Sequence, residues 1–135
     1  MSNWNYYQLY YHITWATEGR LPMINSQLRQ PLHNYLRGKT IDMGGLVFVI
    51  GGVADHVHIC LSIPPQVAIA KFIGQLKGAS SHWMNHIGNP GGAFGWQDGY
   101  GVFCVSKELL DRTISYIENQ EKHHQEKTVY QDWEI

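Results

Sequence analysis

Cysteine is nearly absent from this sequence. Only Cys60 and Cys104 occur among 135 residues. Both sit in apolar, strand-like runs, which points to two buried free thiols in a reducing compartment and away from a disulfide framework. No apolar run approaches the roughly 20 residues needed to cross a bilayer. The opening MSNWNYYQLYYH has neither the basic nor the apolar stretch of a signal peptide, so a cytoplasmic protein is expected. Charge of one sign is missing too: 10 Lys and Arg stand against 11 Asp and Glu, a net charge of -1. That balance gives no long-range pull toward nucleic acid. A nucleic-acid site would have to rest on local basic clusters, a metal ion or base stacking. Repeats and low-complexity segments are also lacking. The glycine-rich stretch Gly88–Gly101 is not followed by Gly-Lys-Ser/Thr, which excludes a P-loop and leaves a connector or a site loop.

What is present suits one folded domain over residues 1–135. Hydrophobic residues make up 44% of the chain, enough for a real core. Tyr6–Thr14 alternates Leu9, Tyr11, Ile13 and Trp15 with Gln8, Tyr10, His12 and Thr14, the period of a strand. Leu28, Leu32, Tyr35 and Leu36 lie on one helical face between Ser26 and about Asp42. Pro31 inside that pattern either kinks the helix or moves its start to about Gln30. Leu46–Val53 and His56–Ile63 read as an antiparallel pair of strands. Pro64-Pro65 stops the second, and an amphipathic helix over about Gln66–His86 follows. YGVFCVS is a last strand. Ser106 is a plausible cap for a final helix, whose apolar stripe is Leu110, Ile114 and Ile117. The order β-α-β-β-α-β-α predicts an α+β, ferredoxin-like antiparallel sheet with two helices on one face and an extra C-terminal helix.

One stretch has more than packing in it. DHVHIC places His56 and His58 two residues apart, so both point to one face of their strand, about 7 Å apart, while Val57, Ile59 and Leu61 point to the other. Two imidazoles can converge on a metal ion, but two ligands do not make a site. The last helix offers two more groups. Tyr116 and Gln120, four residues apart, share a face turned roughly 100° from the apolar stripe. A glutamine carbonyl oxygen suits a hard cation such as Mg²⁺.

Together these residues resemble the single-tyrosine HUH transposases, TnpA-like enzymes of insertion sequences that move as single-stranded DNA. The triplet is His56-Val57-His58. The resemblance runs over nearly the whole chain, through YHITWATEGRLPMI, GGVADHVHICLSIPP, FIGQLKGASS, WQDGYGVFCVS and YIENQEKHH. It implies a divalent metal, Mg²⁺ or Mn²⁺, held by His56, His58 and Gln120, with Tyr116 as nucleophile. The implied reaction cleaves and rejoins single-stranded DNA through a 5′-phosphotyrosine bond, excising and inserting an insertion sequence. Implied partners are DNA with hairpin ends and a second copy of the chain. In such a homodimer the terminal helix can carry its tyrosine to the partner's histidines.

Candidate phosphate contacts are Arg20, Arg29, Arg37, Lys39, Lys71 and Lys77. Tyr6, Tyr10, Trp96 and Tyr100 are candidates for base stacking, each against the simpler reading of ordinary packing. His123 and His124 match the family's local pattern without a ligand role, and His82 and His86 read as surface residues. Two other functions compete. One is a non-catalytic or degenerate single-strand binder on a ferredoxin-like sheet, which would form no covalent adduct. The other is an HUH replication initiator or relaxase, which usually needs a larger chain or a third histidine.

Overall fold

A computed structural model describes residues 6–120, and His123 and His124 lie outside them. Strand β1 (Tyr10–Ala16) is followed by helix α1 (Ser26–Asp42), strands β2 (Leu46–Val53) and β3 (His56–Ser62), helix α2 (Ile69–Trp83), strand β4 (Gly101–Val105) and helix α3 (Leu110–Glu118). The sheet order is β2-β3-β1-β4, with every neighbouring pair antiparallel. This is the α+β, ferredoxin-like arrangement read from the sequence.

Local chemistry accounts for most of the boundaries. Asn25 starts α1 by accepting the backbone N–H groups of Gln27 and Leu28, both at 2.9 Å. With that cap in place the helix runs through Pro31, so the start is Ser26 and not Gln30. The proline forgoes one helical hydrogen bond near the first turn, where the cost is smallest. Gly44 takes a left-handed φ of 90° just past the helix end, the conformation that lets the chain leave it. Strand β1 starts at Tyr10, later than the alternation suggested. Tyr10 is where pairing begins, opposite Ser62 on one side and Val105 on the other. Helix α2 is shorter than expected. Val67 N–H turns back to the Pro64 carbonyl at 3.1 Å, and a wider helical turn, Met84–Gly88, follows Trp83. Ser106 has extended backbone but its side chain caps nothing; a single 3-10 turn, Lys107–Leu109, precedes α3.

The main core lies between the sheet and the pair α1/α2. Ile13, Trp15, Val57, Ile59 and Leu61 from the strands meet Leu32, Leu36, Phe72, Ile73 and Leu76 from the helices, all fully buried. Helix α3 covers the opposite sheet face, where Tyr116 and Ile117 pack with Val49 and Cys60.

The glycine-rich stretch is tied down rather than loose. Asn85 pairs with both backbone groups of Phe94, and Lys77 Nζ donates to the carbonyls of Gln97 and Gly99 at 2.7 and 2.8 Å. Trp96 packs edge-on against Trp15 and Phe94 and donates its indole N–H to Ser80.

One expectation needs correction. Cys60 is buried, but Cys104 is exposed. Its strand, β4, is the sheet edge, with a pairing partner on one side only among the described residues. No helix among the described residues is long and apolar enough to cross a membrane.

Candidate active site

Strand β3 is buried at six of its seven positions. It lies between β1 and β2, with α1 and α2 on one face of the sheet and α3 on the other, so His56 (4% exposed) and His58 (0%) are held inside the protein. Buried imidazoles need hydrogen-bond partners to offset lost hydration, and here each ring has one on Nδ1. His56 Nδ1 lies 2.7 Å from Asp55 Oδ1. A carboxylate only accepts, so the imidazole N–H donates to it. His58 Nδ1 lies 2.7 Å from Nε2 of His12, a buried residue of β1. The two rings of the motif meet edge to face with centroids 5.0 Å apart.

Helix α3 brings Tyr116 to this face, and Gln120 follows just past its C-cap, Asn119. Tyr116 is 3% exposed and its ring centroid is 6.3 Å from that of His58. Gln120 is 1% exposed, and its Oε1 lies 3.4 Å from His56 Nε2. The approach depends on a glycine. Gly51 sits directly opposite His58 in the β2–β3 register. A Cβ there would lie 2.1 Å from the Ile117 backbone oxygen, so any side chain would drive α3 off the sheet.

The arrangement suits a divalent cation. Nδ1 of each motif histidine is engaged, so a cation held here would take Nε2, and an amide oxygen stands 3.4 Å from that atom of His56. Among the described residues no three His, Cys, Asp or Glu side chains gather as a metal cluster. That amide oxygen, Gln120 Oε1, is a further donor that could serve a cation there.

A cavity of about 180 Å³ opens beside Gln120, lined by Arg29 and His33 of α1, Gly51 and Gly52 of β2, and Glu118. His33 is buried. Its pKa is lowered to about 4, mainly by desolvation and then by the Arg29 and Arg37 guanidiniums, so it is neutral at pH 7.

The remaining candidates are dispersed. Arg37, Lys39, Lys71 and Lys77 lie on the helices of the opposite layer, and Arg20 lies in a short 3-10 turn after β1. Burial lowers the pKa of the Lys77 ammonium, with Asp98 opposing. Tyr10 stacks edge-on with Phe48, while Tyr6 and Tyr100 are exposed. His82 and His86 are exposed and stack on each other. Sequence reasoning missed Asp55 and His12. Asp55 stood next to the motif. His12 appeared only as a polar position in an alternating strand, and its meeting with His58 depends on strand register.

Fold and site together define a class: a ferredoxin-like sheet with a His-hydrophobic-His strand faced by a helix that carries a tyrosine and is followed by a glutamine. The family description "Transposase IS200 like" matches residues 5–120, and the chain belongs to that family. It is 33% identical over 121 residues to the ISDra2 transposase TnpA of Deinococcus radiodurans, covering 84% of this chain and 85% of that one. It is 32% identical over 71 residues to the transposase for insertion sequence element IS200 of Salmonella typhimurium, covering 53% and 47%. A Deinococcus radiodurans crystal structure assigned as a transposase superposes with a TM-score of 0.67 at 30% identity, over 89% of this chain and 97% of that one. A REP-associated tyrosine transposase bound to a REP hairpin gives 0.66 at 14% identity, over 92% and 74%, a likeness of fold alone.

Proposed function

We propose that this chain is a divalent-metal-dependent transposase that cuts and rejoins single-stranded DNA through Tyr116. The observation that carries the reading is the meeting of Tyr116 and Gln120 with His56 and His58 on one buried face, although 58 or more residues separate the pairs in sequence. His56, His58 and Gln120 would hold Mg²⁺ or Mn²⁺. When bound, such an ion neutralises charge on the non-bridging phosphate oxygens and makes phosphorus more electrophilic.

Tyr116 supplies the nucleophile. Its oxygen forms a bond to phosphorus as the bond to the 3′ oxygen breaks. The phenol proton is lost, and the departing strand leaves with a 3′-hydroxyl. A free phenol has a pKa near 10, so proton removal is part of the barrier that the site must lower. The 5′-phosphotyrosine keeps the phosphodiester's energy, and a different 3′-hydroxyl attacks it to rejoin strands and free Tyr116. Excision and insertion are two rounds of that exchange, with no nucleotide cofactor. The expected substrate is single-stranded DNA with hairpin ends, taken by a homodimer.

The test is a denaturing gel. Purified protein is mixed with single-stranded DNA carrying the ends that flank its own gene, with Mg²⁺, with Mn²⁺ or with chelator. The expected result is a covalent adduct that needs metal and disappears in Tyr116→Phe. Tight binding of the same DNA with no adduct under any condition would move the protein to the binder reading.

A further inference from the structure

His12 is the buried polar group next to the site whose purpose the proposed reaction does not yet use. It is 1% exposed, on the central strand β1, and its Nε2 lies 2.7 Å from His58 Nδ1. A hydrogen bond between two ring nitrogens needs one N–H and one lone pair. If His58 is to ligate a cation through Nε2, its proton must sit on Nδ1. His58 Nδ1–H is then the donor, His12 Nε2 is the acceptor, and the His12 proton is confined to Nδ1.

We propose that His12 is a positioning residue for His58. It accepts the His58 Nδ1–H, holds the ring in its rotamer and fixes the tautomer that turns Nε2 toward the cation. The proposal rests on the metal-site reading above. It gives the two histidines unlike supports. His56 leans on a carboxylate, Asp55, whose side chain is 33% exposed and so remains hydrated. His58 is fully buried, and a carboxylate in the place of His12 would be an ion held away from water, at high cost. A neutral imidazole gives the same acceptor without that charge.

The surroundings of His12 favour a fixed ring. It packs against Phe103, 5.6 Å between centroids, and against His58 at 4.9 Å. It pairs in register with Cys60 on one side and Phe103 on the other. Groups that orient a metal ligand typically carry 10- to 100-fold in metal affinity, and about that range is expected here.

The experiment has two arms. The first measures imidazole ¹⁵N shifts and two-bond couplings of His58 in metal-free wild-type protein. The second measures Mn²⁺ affinity by electron paramagnetic resonance for wild type, His12→Phe and His12→Gln, with a thermal melt to show that each is folded. The proposal expects the Nδ1–H tautomer at His58, a mixture of tautomers in His12→Phe, and Mn²⁺ binding weakened about 10- to 100-fold in that variant. His12→Gln, whose amide oxygen can accept, should recover most of the affinity. An Nε2–H tautomer in wild type overturns the proposal, because the bond then runs the other way. So does a His12→Phe protein that binds Mn²⁺ as tightly as wild type, or a His12→Gln protein that is folded and no better than His12→Phe. Failure of wild type itself to bind Mn²⁺ would overturn the metal reading and the role toward the cation with it, while the tautomer arm still reports the direction of the bond.

Discussion

The two faces of β3 are equally buried and chemically unlike. On one, Val57, Ile59 and Leu61 are fully buried against α1 and α2. On the other, His56, His58 and Cys60 are nearly as inaccessible but meet β1 and β2 residues of the same face together with a single helix, α3. The first face is held by area removed from water, which tolerates any well-packed apolar set. The second is held by paired polar atoms: Asp55 to His56, His12 to His58, and the Thr14 hydroxyl to the Val57 carbonyl at 2.8 Å. Buried polar groups stabilise a fold only when each is matched, so this face specifies a geometry more than it adds stability. One strand can thus serve both purposes, with the period of two keeping them apart.

The comparison is broken most completely by Tyr116→Phe. The ring and its packing stay, and the covalent adduct on the gel should vanish while the melting temperature changes little. Ile59→Ala, on the opposite face, should do the reverse. It should destabilise by about 2–5 kcal/mol in denaturant titration, yet leave adduct formation per folded molecule close to wild type. An Ile59→Ala protein that is stable but inactive would show that the faces are not separable.

Gly51→Ala tests the seam between them. The new Cβ overlaps the Ile117 backbone, so α3 must move away from β2. A loss on the order of 1–3 kcal/mol is expected from overpacking. Adduct formation should fall further than that loss explains, because Tyr116 rides on the displaced helix and Gln120 follows its C-cap directly. Adduct yield in proportion to the folded fraction would argue against this role for the glycine.

The legible part of this site was short-range. HVH shares a face because strand period is two, and Tyr116 and Gln120 share a face because helical period is 3.6. Both are local facts. His12 was read correctly as a strand residue, but which strand lay beside it, and in what register, could not be had from alternation. Trp96 shows the same limit. Its place in a glycine-rich stretch left base stacking open beside the simpler reading of packing, and contact with Trp15 and Ser80 decides for packing.

Acid stability probes a fourth buried histidine, His33. Its folded pKa of about 4 lies below the ordinary 6.5. Between those values the unfolded chain binds a proton that the folded one refuses, so stability rises with pH through this window. The contribution is complete above about 6.5 and is lost as pH falls toward 4, on the order of 3 kcal/mol in all. His33→Gln should flatten that limb in pH-dependent denaturant titrations. An unchanged slope would mean that His33 charges freely in the folded protein.

The smallest effect is chemical. Burial pushes the Cys60 thiol up to about 12, whereas Cys104 is exposed on the edge strand. A thiol reagent at neutral pH should label one cysteine in native protein and two in denaturant, with Cys104→Ser removing the native signal. Native labelling of Cys60 would show that α3 lifts from the sheet.

By itself, the sequence determined the order of elements and the sheet and helix faces, because backbone geometry enforces such short repeats locally. Its resemblance to the HUH transposases, and not periodicity, singled out Tyr116, Gln120, His56 and His58. The tertiary structure alone decided that β1 lies against β3 with His12 touching His58, that α3 docks over Gly51, and that Cys104 falls at an edge. Those outcomes depend on how distant segments pack, and packing is settled by volume, register and the pairing of buried polar atoms across the whole molecule.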